Sequence, residues 1–296
     1  MVIIVQKDNI NDLNRLKRFI DCDWYLENDI PVQKYYKINK LAYRFFHSKS
    51  GFMHMSISIN DQNKKGKLYQ PETVSDYIKE GTKSVLELGC GQGANIRYLA
   101  EKHPNVHFIG VDLVPSIGRK LKNVMLIKND YHCLDKIPSN SQDIVYSFEA
   151  LCYSMKKDQI FKEVNRILKS GGVFIIFDGY SKTKREDLSN EDREIAKLIE
   201  KGMVLNEFEY VENISKYAKH NHFEKLVSRD LSEYILPNMK QFRGIVEFGM
   251  KFGIIFKTIC KILPKAFVGN AITGYFMKYS IENNIFCYME QIYKKI

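Results

Sequence analysis

The sequence predicts an α/β protein built on a doubly wound, mostly parallel sheet. Two observations carry this prediction. Between residues 84 and 178, short apolar runs that suit buried strands alternate with helical patterns. The first run ends at a turn that contains Gly89, Gly91 and Gly93, and a helical pattern begins directly after it. Glycines permit positive φ at such a turn and let the backbone approach a ligand with no Cβ in the way.

The later elements follow at the spacing of βαβ units. A helix is predicted from about residue 157 to 168, and Lys169, Gly171 and Gly172 provide its stop signal. A charge-rich helix is predicted at residues 186–201. The predicted strands after the first lie at residues 106–113, 124–127, 143–151, 173–178, 223–227 and 285–290.

Length and composition limit the class of protein. A chain of 296 residues can bury a full core, and an open α/β sheet of this size is usually one domain with additions. The six cysteines show no C-x-x-C spacing, which favours reduced thiols in the cytoplasm. The longest uncharged run in the apolar C-terminal part, residues 266–277, has 12 residues, whereas a membrane span needs about 20. We therefore expect a soluble cytoplasmic protein or one peripheral to a membrane.

The net charge of +10 is concentrated towards the C-terminus. Residues 236–296 hold nine Lys or Arg and three Glu. Lys251, Lys257, Lys261 and Lys265 punctuate an apolar helical pattern there, which leaves two interpretations open. It is an ordinary packed helix with solvated lysines, or a surface that meets an anionic membrane or covers an apolar substrate. The pattern is too apolar to favour a nucleic-acid patch.

The acid before the glycine turn indicates the kind of ligand. Gly89, Gly91 and Ala94 also fit the dinucleotide pattern G-x-G-x-x-G/A, in which a pyrophosphate binds the helix N-terminus. The carboxylate of Glu87, two residues earlier, would repel that anion and attract a cation. S-adenosylmethionine carries an ammonium and a sulfonium group. Residues 87–93, E-L-G-C-G-Q-G, match the motif E/D-x-G-x-G-x-G without a gap, and the sequence here resembles the class I S-adenosylmethionine-dependent methyltransferases.

This resemblance covers roughly residues 70–235 and includes the family's R-x-L-K-x-G-G segment at residues 166–172. It implies a seven-stranded Rossmann-like sheet with helices on both faces and an antiparallel last strand. It also implies an aromatic N-terminal lid, which would exclude water from the cofactor. The resulting division is residues 1–70 for the lid, 71–235 for the core, 236–281 for a helical cap and 282–296 for the final strand.

The same resemblance implies S-adenosyl-L-methionine as the cofactor and locates its site. Asp112 lies 25 residues past Glu87, near the separation at which such folds place a ribose-binding carboxylate. Asp130 is expected beside the adenine amine. No set of His, Cys or Asp shows metal-ligand spacing, so no metal is expected. The predicted cofactor-binding residues are Glu87, Gly89, Cys90, Gly91, Gly93, Asp112, Leu113, Asp130, Tyr131 and Tyr36.

A narrower resemblance concerns the acceptor. Residues 149–153, E-A-L-C-Y, look like the I-E-A-T-C-H segment of sterol methyltransferases. Tyr35-Tyr36 and residues 222–232 match two further segments of those enzymes, with His222 where they carry glycine. The resemblance implies a small, apolar acceptor of the isoprenoid or sterol type, methylated at carbon, oxygen or nitrogen. It does not identify the acceptor or the oligomeric state.

Four residues are catalytic candidates. Glu149 lies at the carboxyl end of the fourth strand, where open α/β sheets bind ligands. It is interpreted as a general base, as a stabiliser of developing positive charge, or as a carboxylate that only holds a loop. His132 and His54 are alternative bases or structural residues. Tyr153, like Tyr131, either packs a cationic methyl group or fills space.

Two other functional classes remain open. A nucleic-acid methyltransferase acting on exocyclic base nitrogens would carry an Asn/Asp-Pro-Pro-Tyr/Phe motif after the fourth strand, where this chain has Phe148-Glu149-Ala150-Leu151. A catalytically silent methyltransferase fold used as a binding subunit is the other alternative. The intact Glu87, glycine turn and Asp112 argue against lost cofactor binding, although not against lost chemistry.

Overall fold

The structure is a computed structural model that describes residues 9–30, 35, 38, 51–59, 66–116 and 120–296. These residues fall into two compact units. The sheet unit lies within residues 47–180, 209–235 and 287–296, and the helical unit lies within residues 1–46, 181–208 and 236–286. The predicted boundaries of lid, core and cap are functional divisions and stay predictions.

The sheet has seven strands in the order β3-β2-β1-β4-β5-β7-β6. The first five pair in parallel, and β6 and β7 pair antiparallel. This arrangement confirms the predicted doubly wound fold with an antiparallel last strand. The strands are β1 Ser84–Leu88, β2 His107–Asp112, β3 Val124–Lys128, β4 Gln142–Phe148, β5 Leu168–Ser181, β6 Phe223–Asp230 and β7 Phe286–Lys295.

The helices of the described residues alternate with these strands and extend beyond them. None of them combines the length and the apolar character that a bilayer crossing requires. They are α1 Asn9–Lys17, α2 Cys22–Glu27, α3 Tyr69–Tyr77, α4 Ala94–Lys102, α5 Lys157–Ile167, α6 Asn190–Gly202, α7 Val211–His220, α8 Ser232–Met250, α9 Ile254–Ile262 and α10 Lys265–Glu282.

The strand order positions the candidate site. The central strand β1 has β2 on one side and β4 on the other, so the direction of winding reverses at β1. Residues 85–88 of β1 are all buried, as expected for a parallel strand covered on both faces. Ligands of open α/β sheets bind outside the carboxyl ends of the strands at this reversal. The turn after β1 and the end of β4 therefore share the same edge.

The core of the sheet unit is aromatic on the side covered by α5. The ring of Phe161 on α5 packs edge-on against Phe174, Tyr293 and Phe223, at centroid distances of 5.4, 5.6 and 5.8 Å. These rings come from β5, β7 and β6, so one helical side chain ties three neighbouring strands together. Edge-to-face pairs contribute beyond the area that they bury.

Several elements differ from their predicted bounds. β4 ends at Phe148 rather than at residue 151, and β6 continues to Asp230 rather than to residue 227. β5 begins at Leu168 rather than at residue 173, because Leu168 pairs with Gln142 beyond a bulge. β7 continues to Lys295, which pairs with Phe223 of β6. The charge-rich helix α6 begins later than predicted, because the Ser189 side chain accepts a hydrogen bond from the backbone N–H of Asp192 and caps it.

Candidate functional site

The glycine turn after β1 adopts the left-handed backbone that the sequence predicts. Gly89, Gly91 and Gly93 have φ of +71°, +48° and +66°. A Cβ on Gly89 would lie 2.3 Å from the Cβ of Ala150. The turn and the end of β4 can approach this closely only because residue 89 is glycine. A Cβ on Gly91 would meet nothing within 4 Å. The open side of Gly91 therefore offers its backbone to a ligand.

Glu87 is a buried acid directly before this turn. Its carboxylate accepts a hydrogen bond from Tyr146 Oη at 3.0 Å and another from Asn95 Nδ2 at 3.1 Å. Burial raises the pKa of Glu87 to about 8, although both hydrogen bonds act in the opposite direction. The two donors are neutral and cannot compensate a negative charge. The position therefore favours a proton or a cationic ligand group.

Asp112, at the end of β2, faces the same turn. Its Oδ2 accepts a hydrogen bond from the N–H of Gly91 at 2.9 Å, and its Oδ1 accepts one from the N–H of Val114 at 2.8 Å. A carboxylate has about four lone-pair sites, so two remain for a ligand. Leu113, which is 52% exposed, extends the same edge. The structure thus brings Asp112 and the glycine turn together, as predicted.

Asp130 and His132 form a second polar group after β3. Oδ1 of Asp130 lies 2.6 Å from Nδ1 of His132, and Nε2 of His132 lies 2.6 Å from Oγ of Ser154. Burial tends to raise the pKa of Asp130, but the hydrogen bonds with His132 lower it below its ordinary value. Both ring nitrogens of His132 are therefore engaged. Tyr131 donates a hydrogen bond to the carbonyl of Ala150 at 3.1 Å, which connects this group to the end of β4.

Glu149 occupies the most constrained position of the site. It has a φ of +50°, a conformation that side-chain-bearing residues seldom adopt without a structural reason. Its N–H donates to the carbonyl of Phe177 at 2.8 Å. Its Oε1 accepts hydrogen bonds from the N–H of Met55 at 2.5 Å and from Tyr288 Oη at 2.8 Å. Burial raises the pKa of Glu149 to about 7, near the value a base needs at neutral pH.

Two residues near Glu149, Gln70 and Lys67, were not predicted as site residues. Gln70 donates a hydrogen bond to the carbonyl of Met55 at 2.8 Å and another to Tyr288 Oη at 3.3 Å. Lys67 donates to the carbonyl of His54, and its positive charge lowers the pKa of Glu149 against the effect of burial. No local pattern marks these residues, because they reach the acid from distant parts of the chain.

Asp178, at the end of β5, is a further buried acid that the sequence analysis did not select. Its Oδ2 accepts a hydrogen bond from the N–H of Cys152 at 3.0 Å, and its Oδ1 accepts one from the N–H of Gly179 at 2.8 Å. Burial raises its pKa to about 6. Asp178 anchors the turn at Leu151–Tyr153 and thus fixes the backbone beside the partly exposed Tyr153.

His54 is buried and connected to the glycine turn. Its Nε2 lies 2.9 Å from Oδ1 of Asn95, whose amide donates to Glu87, and its ring packs against Phe52 and Phe148. Burial lowers the pKa of His54 to about 4, so the ring is neutral at pH 7. Its Nδ1 lies 3.2 Å from the carbonyl of Met55, whose N–H donates to Glu149, so contacts of His54 extend to both buried acids.

The remaining predicted features are placed as follows. Cys90 lies within the glycine turn, and its N–H donates to the carbonyl of Val111 at 3.1 Å. Tyr36 lies outside the described residues, and its neighbour Tyr35 belongs to the helical unit, where its hydroxyl donates to Asn270 at 2.5 Å. Across the part of the chain that the structure describes, no three His, Cys, Asp or Glu side chains gather as a metal site.

Comparison with protein families finds a match within the sheet unit. Residues 86–176 match the family model Methyltransf_11, described as a methyltransferase domain. The matched stretch runs from β1 into β5. It therefore contains the glycine turn together with Asp112, Asp130 and Glu149.

Individual proteins show the same relationship. The sterol 24-C-methyltransferase of Saccharomyces cerevisiae is 30% identical over 159 residues, which cover 50% of this chain and 41% of that protein. The 24-methylenesterol C-methyltransferase 2 of Arabidopsis thaliana is 27% identical over 168 residues, with 52% and 45% covered. The chain thus spans less than half the length of these curated relatives.

Among solved structures, the cyclopropane synthase MmaA2 from Mycobacterium tuberculosis aligns with a TM-score of 0.67 at 12% identity. The alignment covers 88% of this chain and 95% of that one. At this identity the likeness concerns the fold.

Proposed function

We propose that this chain, which carries a methyltransferase domain of the class I fold, is an S-adenosylmethionine-dependent methyltransferase of a small, apolar acceptor. The observation that carries the proposal is the Asp112 carboxylate, which accepts a hydrogen bond from Gly91 within the turn that follows the buried Glu87. The Asp112 carboxylate, the backbone of Gly91 and the buried Glu87 thus lie together at the carboxyl edge of the sheet.

These residues fit S-adenosylmethionine, which supplies an electrophilic methyl group on a sulfonium when it is bound. Glu87 would hold the ammonium group, because a bound cation compensates the carboxylate charge that its two neutral donors leave uncompensated. The free lone pairs of Asp112 would accept the ribose hydroxyls. Asp130 would hold the adenine amine, with Leu113 and Tyr131 as the residues beside the base. Gly91 lets the backbone of the turn approach without a side chain.

Methyl transfer from a sulfonium is an in-line displacement, so orientation and exclusion of water account for most of the rate. We assign the remaining chemistry to Glu149. With a pKa of about 7, its carboxylate removes a proton from a heteroatom acceptor or stabilises the positive charge that develops on an alkene acceptor. Tyr288 and the N–H of Met55 hold the carboxylate in place.

The two histidines then have positioning roles. His54 is neutral and buried, and it orients Asn95 against Glu87. His132 connects Asp130 to Ser154, which fixes the adenine side of the site. Tyr153 lies in the turn after Glu149, where its ring is suited to contact a cationic methyl group.

We infer that the acceptor is of the isoprenoid or sterol type and that the protein meets it at a membrane surface. The names of the two curated relatives support the acceptor class, since both describe methyltransferases of sterols. The surplus of basic residues in 236–296 supports peripheral contact with anionic lipid. Neither part of this inference affects the assignment of the cofactor residues.

Incubation with methyl-labelled S-adenosylmethionine tests the function directly. The labelled cofactor is offered with a lipid extract containing sterols and isoprenoids, with a polar soluble extract, or with RNA. We expect label in the lipid fraction, and much less with Glu149→Gln. Label in RNA or in polar solutes alone would overturn the acceptor class. Cofactor binding without label in any fraction would indicate a silent binding subunit.

A further inference from the structure

The end of α8, the turn after it and the helix α9 expose large apolar side chains to solvent. Ile254 and Ile262 are 79% and 78% exposed, and Phe248 is 62% exposed. A monomer surrounded by water rarely presents so many neighbouring apolar residues, and such patches mark interaction surfaces. The residues that define this α8–α9 face are Ile245, Phe248, Phe252, Ile254, Ile255, Ile259 and Ile262.

The outward orientation of α9 is fixed by its opposite side. Cys260 is buried, and the ring of Phe256 packs edge-on against Phe19 at 5.8 Å. A Cβ on Gly249 would lie 2.6 Å from the Phe256 ring, so α8 and α9 already touch closely there. At 100° per residue, the isoleucines of α9 span an arc of about 140° away from these contacts. These isoleucines therefore lie outside the packed side of the helix.

The charges around this face are predominantly positive. The one carboxylate on its α8 part, Glu247, is paired with Arg243 at 2.8 Å. Residues 248–281 contain no Asp or Glu, whereas they contain Lys251, Lys257, Lys261, Lys265 and Lys278. Lys257 and Lys261, four residues apart, flank the isoleucine arc on α9. Within the described residues, none of the three lysines Lys251, Lys257 and Lys261 forms an ion pair. Unpaired lysines beside exposed isoleucines complement a surface that is apolar inside and anionic outside.

A pocket adjoins this lysine edge within the helical unit. Asp21 and Lys17 are among the residues that line the pocket. Lys17 forms an ion pair with Glu194 at 2.6 Å. Lys265 Nζ lies 4.7 Å above the Trp24 ring, which keeps this lysine at the pocket. The pocket thus combines lysines with apolar side chains, as the boundary between phosphate head groups and acyl chains does. Among its lining residues are Lys257, Lys261, Lys265, Phe19, Ile20 and Tyr25.

We infer that the α8–α9 face docks on the surface of an anionic phospholipid membrane. The isoleucines and phenylalanines enter the boundary between head groups and acyl chains, and Lys251, Lys257 and Lys261 lie against the lipid phosphates. Binding then combines buried apolar area with electrostatic attraction, as in other helices that lie in a membrane interface. The inference deepens the proposed membrane contact and rests on it, but it does not depend on the acceptor.

Vesicle flotation of the full chain tests the docking surface. The vesicles consist of phosphatidylcholine with or without phosphatidylglycerol. We expect binding only to the anionic vesicles and a loss of binding at high salt, since salt screens exposed charges beyond about 10 Å at 0.1 M. The double charge reversal K257E/K261E should weaken binding about 30-fold or more, given a contribution of about 1 kcal/mol per lysine. The double variant I254N/I262N should lose binding even at low salt.

Matched controls separate the surface from net charge and hydrophobicity. K197E/K225E changes the net charge equally at exposed lysines of α6 and β6, and I296N changes an isoleucine that is 77% exposed. Both controls should bind anionic vesicles like the unaltered chain. All variants should bind S-adenosylmethionine with unchanged affinity, which shows that they are folded.

Two results would overturn the inference. The first is the absence of binding to anionic vesicles, and the second is binding that neither double variant weakens. If binding is absent and I254N/I262N converts a dimer to a monomer, the face is covered by a second copy instead. Cofactor binding is measured separately by calorimetry, so a failure of the proposed methyltransferase function is distinguishable from a failure of membrane docking.

Discussion

The hydroxyl of Tyr288 donates a hydrogen bond of 2.8 Å to Oε1 of Glu149 and so connects β7 with the end of β4. The same oxygen accepts a hydrogen bond from the N–H of Met55. Three stretches far apart in the sequence therefore converge on one carboxylate oxygen. Because Glu149 also has a positive φ, backbone and side chain are both held in place by residues outside its own strand.

Changing Glu149 to Gln should slow methyl transfer by about 100-fold or more, as expected for the loss of a general base or a charge stabiliser. Cofactor affinity should remain within a few-fold. The pKa of about 7 makes the carboxylate active above neutrality, so turnover of the unaltered chain should rise from acidic pH and level off beyond pH 7. Steady-state rates as a function of pH, together with calorimetry, measure both effects.

A matched variant tests whether Tyr288 positions this acid. Tyr288→Phe removes the hydrogen bond to Glu149 and should shift the apparent pKa of turnover upward, since that bond favours the carboxylate. If Tyr288→Phe lowers the rate but leaves the pH dependence of turnover unchanged, the role of Tyr288 is purely structural. If Glu149→Gln destroys cofactor affinity while turnover at saturation is unchanged, Glu149 belongs to the cofactor site instead.

Replacing Asp112 by Ala should weaken binding of S-adenosylmethionine and of its demethylated product. Hydrogen bonds to a charged group contribute about 1.5–3 kcal/mol, which corresponds to roughly 10- to 150-fold in the dissociation constant. Asp112→Asn keeps one acceptor oxygen and should lose less. Calorimetry gives the affinities, and thermal unfolding shows whether the contacts with Gly91 and Val114 were structurally needed. A preference for a nicotinamide cofactor would refute the assignment of the site.

Cofactor binding at pH 7 should release a proton from Glu87. In the free protein burial raises its pKa to about 8, so the acid is mostly protonated at neutrality. A bound ammonium favours the carboxylate and lowers this pKa, which expels the proton. Calorimetry in buffers with different ionisation enthalpies measures the number of protons released. Glu87→Gln should release none, and proton uptake by the unaltered chain would contradict the expected contact.

Gly89→Ala should destabilise the fold more than Gly81→Ala. Both glycines have positive φ, which costs about 1–2 kcal/mol for a residue with a Cβ. At Gly89 the new Cβ would also lie 2.3 Å from Ala150, whereas at Gly81 it would meet nothing within 4 Å. Overpacking of this kind costs about 1–3 kcal/mol more. Urea unfolding of both variants gives the difference, and equal losses would mean that Ala150 moves away freely.

The fold was largely predictable because its signals are local. Each buried strand is a short apolar run, and the turn after β1 requires glycine at positions with positive φ, so both appear in the sequence itself. The lengths of β5 and β7 were not predictable in the same way. Their extra residues are extended because Gln142 and Phe223 on neighbouring strands pair with Leu168 and Lys295.

The acids of the candidate site were selected from the sequence because they belong to strand ends. Glu87, Asp112 and Glu149 each follow or close an apolar run. Their partners carry no such mark. Asn95, Gln70 and Tyr288 are ordinary polar residues of a helix or a strand until the chain folds, and their hydrogen bonds then decide how each acid is oriented and how strongly it holds a proton.

The sequence by itself determined the order of strands and helices, the glycine turn and the uniform positive charge of residues 248–281, since each of these depends on residue type and short-range spacing. Only the tertiary structure decided which side of α9 faces outward. A helical pattern has the same period whether its apolar side is buried or exposed, and the choice was made by Phe256 and Cys260, which occupy the interior and leave the isoleucines outside. The pKa of Glu149 was decided in the same way, because it depends on burial and on hydrogen bonds that exist only in the folded chain.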